Sequence, residues 1–139
     1  LSREHHQGLL LSWKIRTGLS KGVSTDRIKT YADWFYKTYL IPHFEEEEKH
    51  LFPILGNDHI LVKKAIAQHR RLDRLFKSTS ELKKSLNHIE EELEQHIRFE
   101  ERVLFNEIQK VATEQQLQFI LEHHNQTKFL ENTTDRFWE

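Results

Sequence analysis

A chain of 139 residues with 21 Lys and Arg against 22 Asp and Glu carries a formal charge of −1, and a single domain over residues 1–139 is the expectation. Charges of both signs are interspersed and leave no basic face for phosphate groups, so neither nucleic acid nor an anionic membrane surface is an expected partner. The lack of cysteine excludes disulfides, thiolate metal sites and thiol nucleophiles, and no apolar run approaches the roughly 20 residues of a spanning helix; a soluble, cytoplasmic protein is expected.

Six Gly and Pro residues punctuate long helical stretches, and strand signals are absent. A first helix is expected over residues 2–17, closing at Gly18, with a loop to Ser24 that contains Gly22. A second is expected over 25–55, ended by Gly56, with a kink or a 3₁₀ turn just before His43 because Pro42 lacks a backbone donor. Asn57 or Asp58 should cap a third helix reaching about Lys77. Ser78 with Glu81 reads as a capping box for a fourth over 79–111, and Thr113 with Gln116 as another for a short fifth ending near His123 and His124. A polar tail carrying Phe137 and Trp138 follows. The expected fold is all-α, an up-down-up-down four-helix bundle with a short C-terminal helix.

Ten histidines are the compositional signal. In the fourth helix Leu82, Leu86, Ile89, Leu93, His96, Glu100 and Val103 follow steps of four and three, a core-facing seam in which His96 and Glu100 stand where Leu or Ile would be expected. The second helix repeats this with Ala32, Tyr36, Tyr39, His43, Glu47, His50 and Ile54. The third has Val62, Ile66, His69, Leu72, Asp73 and Phe76. In the first, His6 shares a face with Leu10 and Trp13, whereas His5 lies with Ser12 and Arg16, so His6 is the preferred inward residue and His5 the alternative.

An ionisable group in an apolar seam costs several kcal/mol in desolvation unless a partner compensates. Four helices each place such groups inside, and one shared metal centre accounts for all of them. Six donors, His6, His43, Glu47, His69, His96 and Glu100, exceed the four of a structural zinc. Two ions with both glutamates bridging give each ion two His and two carboxylate oxygens. Asp73 is a further candidate ligand, and His50 belongs around the ligands rather than among them. Glu45, Glu46, Glu48 and Glu101 read as solvated, His59, His88, His123 and His124 as surface residues, and Tyr36 and Tyr39 as packing residues within reach of a bound ligand.

The words HFEEEEKHLFP at 43–53 and HIRFEERVLFN at 96–106 share His, three residues, Glu-Glu, two residues and Leu-Phe. With the opening SREHHQGLLLSWKIR and a lone inward His in the first and third helices, they resemble the hemerythrin-like, or HHE cation-binding, domain family in its bacterial branch. The resemblance covers nearly the whole chain. It implies a non-heme di-iron centre, oxo- or hydroxo-bridged, ahead of manganese or zinc, with His6 or His5, His43, His69 and His96 as terminal ligands and Glu47 and Glu100 as bridges. The oxygen carriers of the family have a second His where Asp73 stands, and a His-to-Asp rather than His-to-Glu pair in the fourth helix. A small ligand such as oxygen is the implied partner, no protein partner is legible, and binding or sensing of oxygen, redox state or iron is the expected role. The alternative is a di-iron enzyme or repair protein acting on peroxide or nitric oxide, or donating iron; no acid–base pair outside the cluster supports it.

Overall fold

The computed structural model describes residues 3–124 and 128–139, the side chains of 123 and 124 excepted. Residue 2, with which the first helix was expected to begin, and the two terminal histidine side chains lie outside the described residues.

The described residues are all-α. Helix α1 is Arg3–Ser20. Helix α2 is continuous over residues 25–55 but changes winding: Thr25–Phe35 is α, Tyr36–Leu40 is a π segment, Ile41–Glu46 is α, Glu47–Leu51 is a second π segment and Phe52–Leu55 is α. Helix α3 is Ile60–Phe76. Helix α4 runs over 82–111, with α segments Leu82–Phe99 and Phe105–Val111 flanking a π segment at Glu100–Leu104. Helix α5 is Glu114–His124.

Local chemistry explains the boundaries, and several differ from expectation. Gly18 does not end α1. It lies inside the helix, where an added Cβ would stand 2.7 Å from the Phe137 ring, so the glycine admits that ring rather than breaking the helix. Helix α3 is capped by neither Asn57 nor Asp58 but by His59, whose Nδ1 accepts the Leu61 N–H at 3.1 Å. The Ser78 and Glu81 capping box does not form: Ser78 Oγ donates to the Ser80 carbonyl, and Glu81 leads into α4 with a left-handed φ of 50°. The Thr113 and Gln116 box does form, with reciprocal backbone-to-side-chain bonds of 2.9 and 3.1 Å. Before His43 the chain widens into a π turn instead of tightening into a 3₁₀ turn, with the Ile41 N–H donating to the Tyr36 carbonyl. A wider turn makes room for the Pro42 ring, which would otherwise meet the preceding turn of carbonyls.

Contacts between neighbouring helices run in opposite directions. Lys14 on α1 donates to Tyr31 on α2 at 2.9 Å, while Glu4 meets His43. Lys29 on α2 reaches the Phe76 carbonyl on α3 at 2.6 Å, while Glu48 meets His69 at 2.9 Å. Arg71 on α3 pairs with Glu92 on α4 at 3.0 Å, and Arg16 on α1 with Glu90 on α4 at 3.0 Å. Gly8 lets α1 approach α4 closely: its ideal Cβ would lie 2.7 Å from Ile97 Cδ1.

Two apolar clusters fill the interior. One contains Leu11, Ile15, Phe35, Leu40, Phe44, Leu72, Leu93 and Ile97, and the other Leu51, Phe52, Val62, Ala65, Leu104 and Ile108. Residues 128–139 cover the first: Phe137 is buried, Glu131 takes hydrogen bonds from Lys14 and Tyr31, and Asp135 pairs with Arg27. The buried His and Glu side chains at 43, 47, 69, 96 and 100 lie where the first cluster gives way to the second along α2, α3 and α4.

Candidate metal centre

Six buried ionisable side chains meet in that layer: His5 from α1, His43 and Glu47 from α2, His69 from α3, and His96 and Glu100 from α4. They form two groups of four donors, His5, His43, Glu47 and Glu100, and Glu47, His69, His96 and Glu100, each able to hold a metal ion. The two groups share both glutamates. Glu47 and Glu100 are fully buried, and none of their four carboxylate oxygens has a well-formed hydrogen bond. Carboxylates removed from water in this way need a cationic partner.

The distances are those of a chelating cage. The Oε2 atom of Glu47 faces one group, 3.3 Å from His43 Nε2 and 3.7 Å from His5 Nε2, while its Oε1 faces the other, 3.2 Å from His69 Nε2. Glu100 Oε1 lies 2.8 Å from His96 Nε2 and 3.5 Å from His5 Nε2. His69 and His96 bring their Nε2 atoms to 3.2 Å. Two nitrogens each roughly 2.1 Å from one ion and about 100° apart would be separated by about that distance. The donor set fits a divalent ion in each group.

The π segments decide which residues follow the glutamates into the interior. Glu47 and Glu100 each open a π segment, and in each the glutamate carbonyl accepts from the N–H five residues on, Phe52 and Phe105. One extra residue in the turn re-aims everything after it. The seam therefore passes from Glu47 to Leu51 and from Glu100 to Leu104, both buried, and not to His50 and Val103, of which Val103 is 42% exposed. His50 is thereby corrected: it is half-exposed, about 4.0 Å from Glu46 and against the Phe119 ring, with no place in the cage.

Two further readings are overturned. His6 is exposed and His5 occupies the cage. The inward face of α1 runs through His5, Gly8, Leu11, Ser12, Ile15 and Gly18, whereas Trp13, used to orient the helix, is half-exposed. The buried seam uses small residues where neighbouring helices come close, so apolarity pointed to the wrong face. Asp73 is not near the cage; it accepts from Tyr36 and pairs with Lys77 at 2.9 Å. Accordingly, His5→Ala is expected to lower metal content and His6→Ala to leave it unchanged, as measured by elemental analysis of the purified variants.

An outer ring holds the imidazoles in place; it is made of Glu48 and Glu101, expected in solvent, and of Glu4 and Gln68, which periodicity does not single out. The Nδ1 of His5 meets Glu101, that of His43 meets Glu4, that of His69 meets Glu48 at 2.9 Å and that of His96 meets the Gln68 amide oxygen at 2.5 Å. With Nδ1–H donating outwards, each ring turns its Nε2 lone pair inwards. Phe44 stacks on His69 with centroids 3.9 Å apart, and Phe105 stacks on His5 at 5.3 Å. The glutamates of the outer ring lie one residue before or after a cage residue, at 4, 48 and 101 beside 5, 47 and 100. That adjacency was the available signal. Two further histidines are peripheral: His88 pairs with Glu92 at 3.3 Å, and His59 is the cap described above.

Without metal, the cage holds protons. Burial would lower the imidazole pKa values, but Glu47, Glu48, Glu100 and Glu101 outweigh it around His5 and His69, raising His5 well above the ordinary value and His69 to about 9. His43 is raised to about 10 against the same burial cost, by Glu47 and Glu4. Glu47 is held well below the carboxylate range despite burial, chiefly by His43. Binding of ions must displace those protons, so about three per chain are expected to be released near pH 7.5, one from each raised histidine, and affinity should rise with pH. Calorimetry in buffers of different ionisation enthalpy measures the number. The sign for stability is opposite: the contribution of raised histidines is complete below about pH 6.5 and is lost as pH rises through 9 to 10, so the metal-free fold should weaken over that interval.

A cavity of about 20 Å³ lies against His43, lined by Glu4, Phe35, Tyr39, Leu40 and Phe129 among others, with room for one water-sized molecule. No helix among the described residues is long and apolar enough to cross a membrane. Comparison with protein-family models, with curated proteins and with solved structures finds no match.

Proposed function

We propose that the chain is a non-heme di-iron protein of the hemerythrin-like kind, an up-down-up-down four-helix bundle that binds or senses oxygen, redox state or iron. The observation that carries the reading is the pair of four-donor groups sharing two buried glutamates. His5 and His43 would hold one ion, His69 and His96 the other, with Glu47 and Glu100 between them. Iron ions held by imidazole and carboxylate supply a redox couple and Lewis acidity toward small ligands. The residues of the chain do the rest. Phe44, Phe52 and Phe105 keep bulk water from the cage, the outer acceptors fix the ring orientations, and the cavity beside His43 is the size of a small ligand.

The test is metal analysis of purified protein joined to its visible and near-ultraviolet spectrum, recorded reduced and then after air. About two irons per chain and a charge-transfer band that appears on oxidation are expected. Zinc alone, with no spectral change after reconstitution with iron, would overturn the reading. Turnover of added peroxide or nitric oxide by the loaded protein would place it among enzymes instead of binding proteins.

A further inference from the structure

We propose that the two ion sites are unequal by construction and fill in order, the His5 and His43 site first. This rests on the metal-centre reading above, and the inequality comes from the outer ring. Both histidines of the first site are backed by carboxylates, Glu101 on His5 and Glu4 on His43. Those carboxylates are well shielded, at 24% and 18% exposure. In the second site His69 is backed by Glu48, which is 40% exposed. His96 is backed by Gln68, a neutral amide.

A carboxylate accepting from Nδ1–H pushes electron density into the ring and makes Nε2 a stronger donor, and it adds negative charge near the ion; an amide does the first weakly and the second not at all. Exposure then screens the one outer carboxylate of the second site more than either of those in the first. Glu47 and Glu100 belong to both groups and cannot create the difference. The first site therefore has two shielded outer negative charges and the second has one, exposed to water. Glu4, Glu101 and Gln68 act as positioning residues, working through the imidazoles they touch.

The experiment titrates the metal-free 139-residue chain with Zn²⁺, which has no redox chemistry, while ¹⁵N resonances of the imidazoles are followed by NMR. After one equivalent, His5 and His43 are expected at metal-bound positions with His69 and His96 still free, and the second equivalent moves those two. The affinity gap should be at least about 10-fold, the usual effect of an outer partner on a metal ligand. Gln68→Glu, which places a carboxylate behind His96, is expected to tighten the second site by about 10- to 100-fold and narrow the gap. Glu101→Gln should narrow it from the other side by weakening the first site. Gln68 is half-buried at the edge of the cage, so its variant keeps the test decisive where Glu101→Gln fails to fold.

Even loading of both sites at one equivalent, prior loading of His69 and His96, or a Gln68→Glu protein with unchanged affinities would overturn the proposal. Each of those results still leaves an ion-binding cage. Failure of any imidazole to respond to Zn²⁺ or to Fe²⁺ would overturn the metal-centre reading itself, and the order of filling with it.

Discussion

Alanine in place of Glu47 or Glu100 is expected to reduce metal content from about two ions per chain to one or none. Each carboxylate belongs to both four-donor groups, so its removal takes a ligand from both ions at once, whereas loss of a histidine impairs one. The effect reaches the metal-free protein too. Glu47 is the anion around which His5, His43 and His69 are gathered, at 3.7, 3.3 and 3.2 Å. Removing one partner from a buried charge cluster costs about 3–5 kcal/mol, because the remaining charges stay desolvated. Thermal unfolding of metal-free Glu47→Ala should therefore occur well below that of the parent chain, with Glu47→Gln less affected since it keeps the volume. Full loading of both alanine variants would refute the bridging role.

Deletion of the single exposed residue Lys49 should abolish normal metal loading while leaving helix content nearly intact. Lys49 lies within the π segment Glu47–Leu51 and has no part in the cage. Phe44 before the segment and Phe52 after it are buried in separate apolar clusters, which hold the flanks in register. With one residue fewer, the wide turn closes to an ordinary α turn and the residues after it are re-aimed, so that Phe52 keeps its packing beside His69 only if the turn carrying Glu47 rotates out of the cage. Circular dichroism should change little and metal content should fall as far as in Glu47→Ala. Lys49→Ala, which keeps the length, should load normally. Two ions bound tightly by the deletion variant would show that the wide turn plays no part in placing the ligand, and deletion of Arg102 in the corresponding segment of α4 provides an independent trial.

Much of the cage was legible because two helices carry the same word. The seam in α4 from Leu86 to Glu100 is buried throughout, and the His-to-Glu step of four puts both side chains on one face of any helix. His69 followed from the same periodicity. The reading failed where geometry departed from a regular α-helix. His50 and Val103 lie within the wide turns, and a period of 3.6 residues carries them inwards when the chain in fact turns them out. The shared spacing of five between Glu47 and Phe52 and between Glu100 and Phe105 was present in both words, but nothing in residue type distinguishes a π turn from an α turn.

The sequence alone determined an all-helical chain and a polar layer of His and Glu inside it, since apolar periodicity and paired ligand spacing are properties of each helix taken singly. Which histidine of α1 enters the layer, which acids back the imidazoles and where residues 128–139 settle were decided by tertiary structure. Those outcomes depend on how closely helices approach at Gly8 and Gly18 and on side chains more than 20 residues apart meeting in space, as Glu4 meets His43 and Glu101 meets His5. Local periodicity contains no information on such distances, because they are fixed by packing one helix against the next.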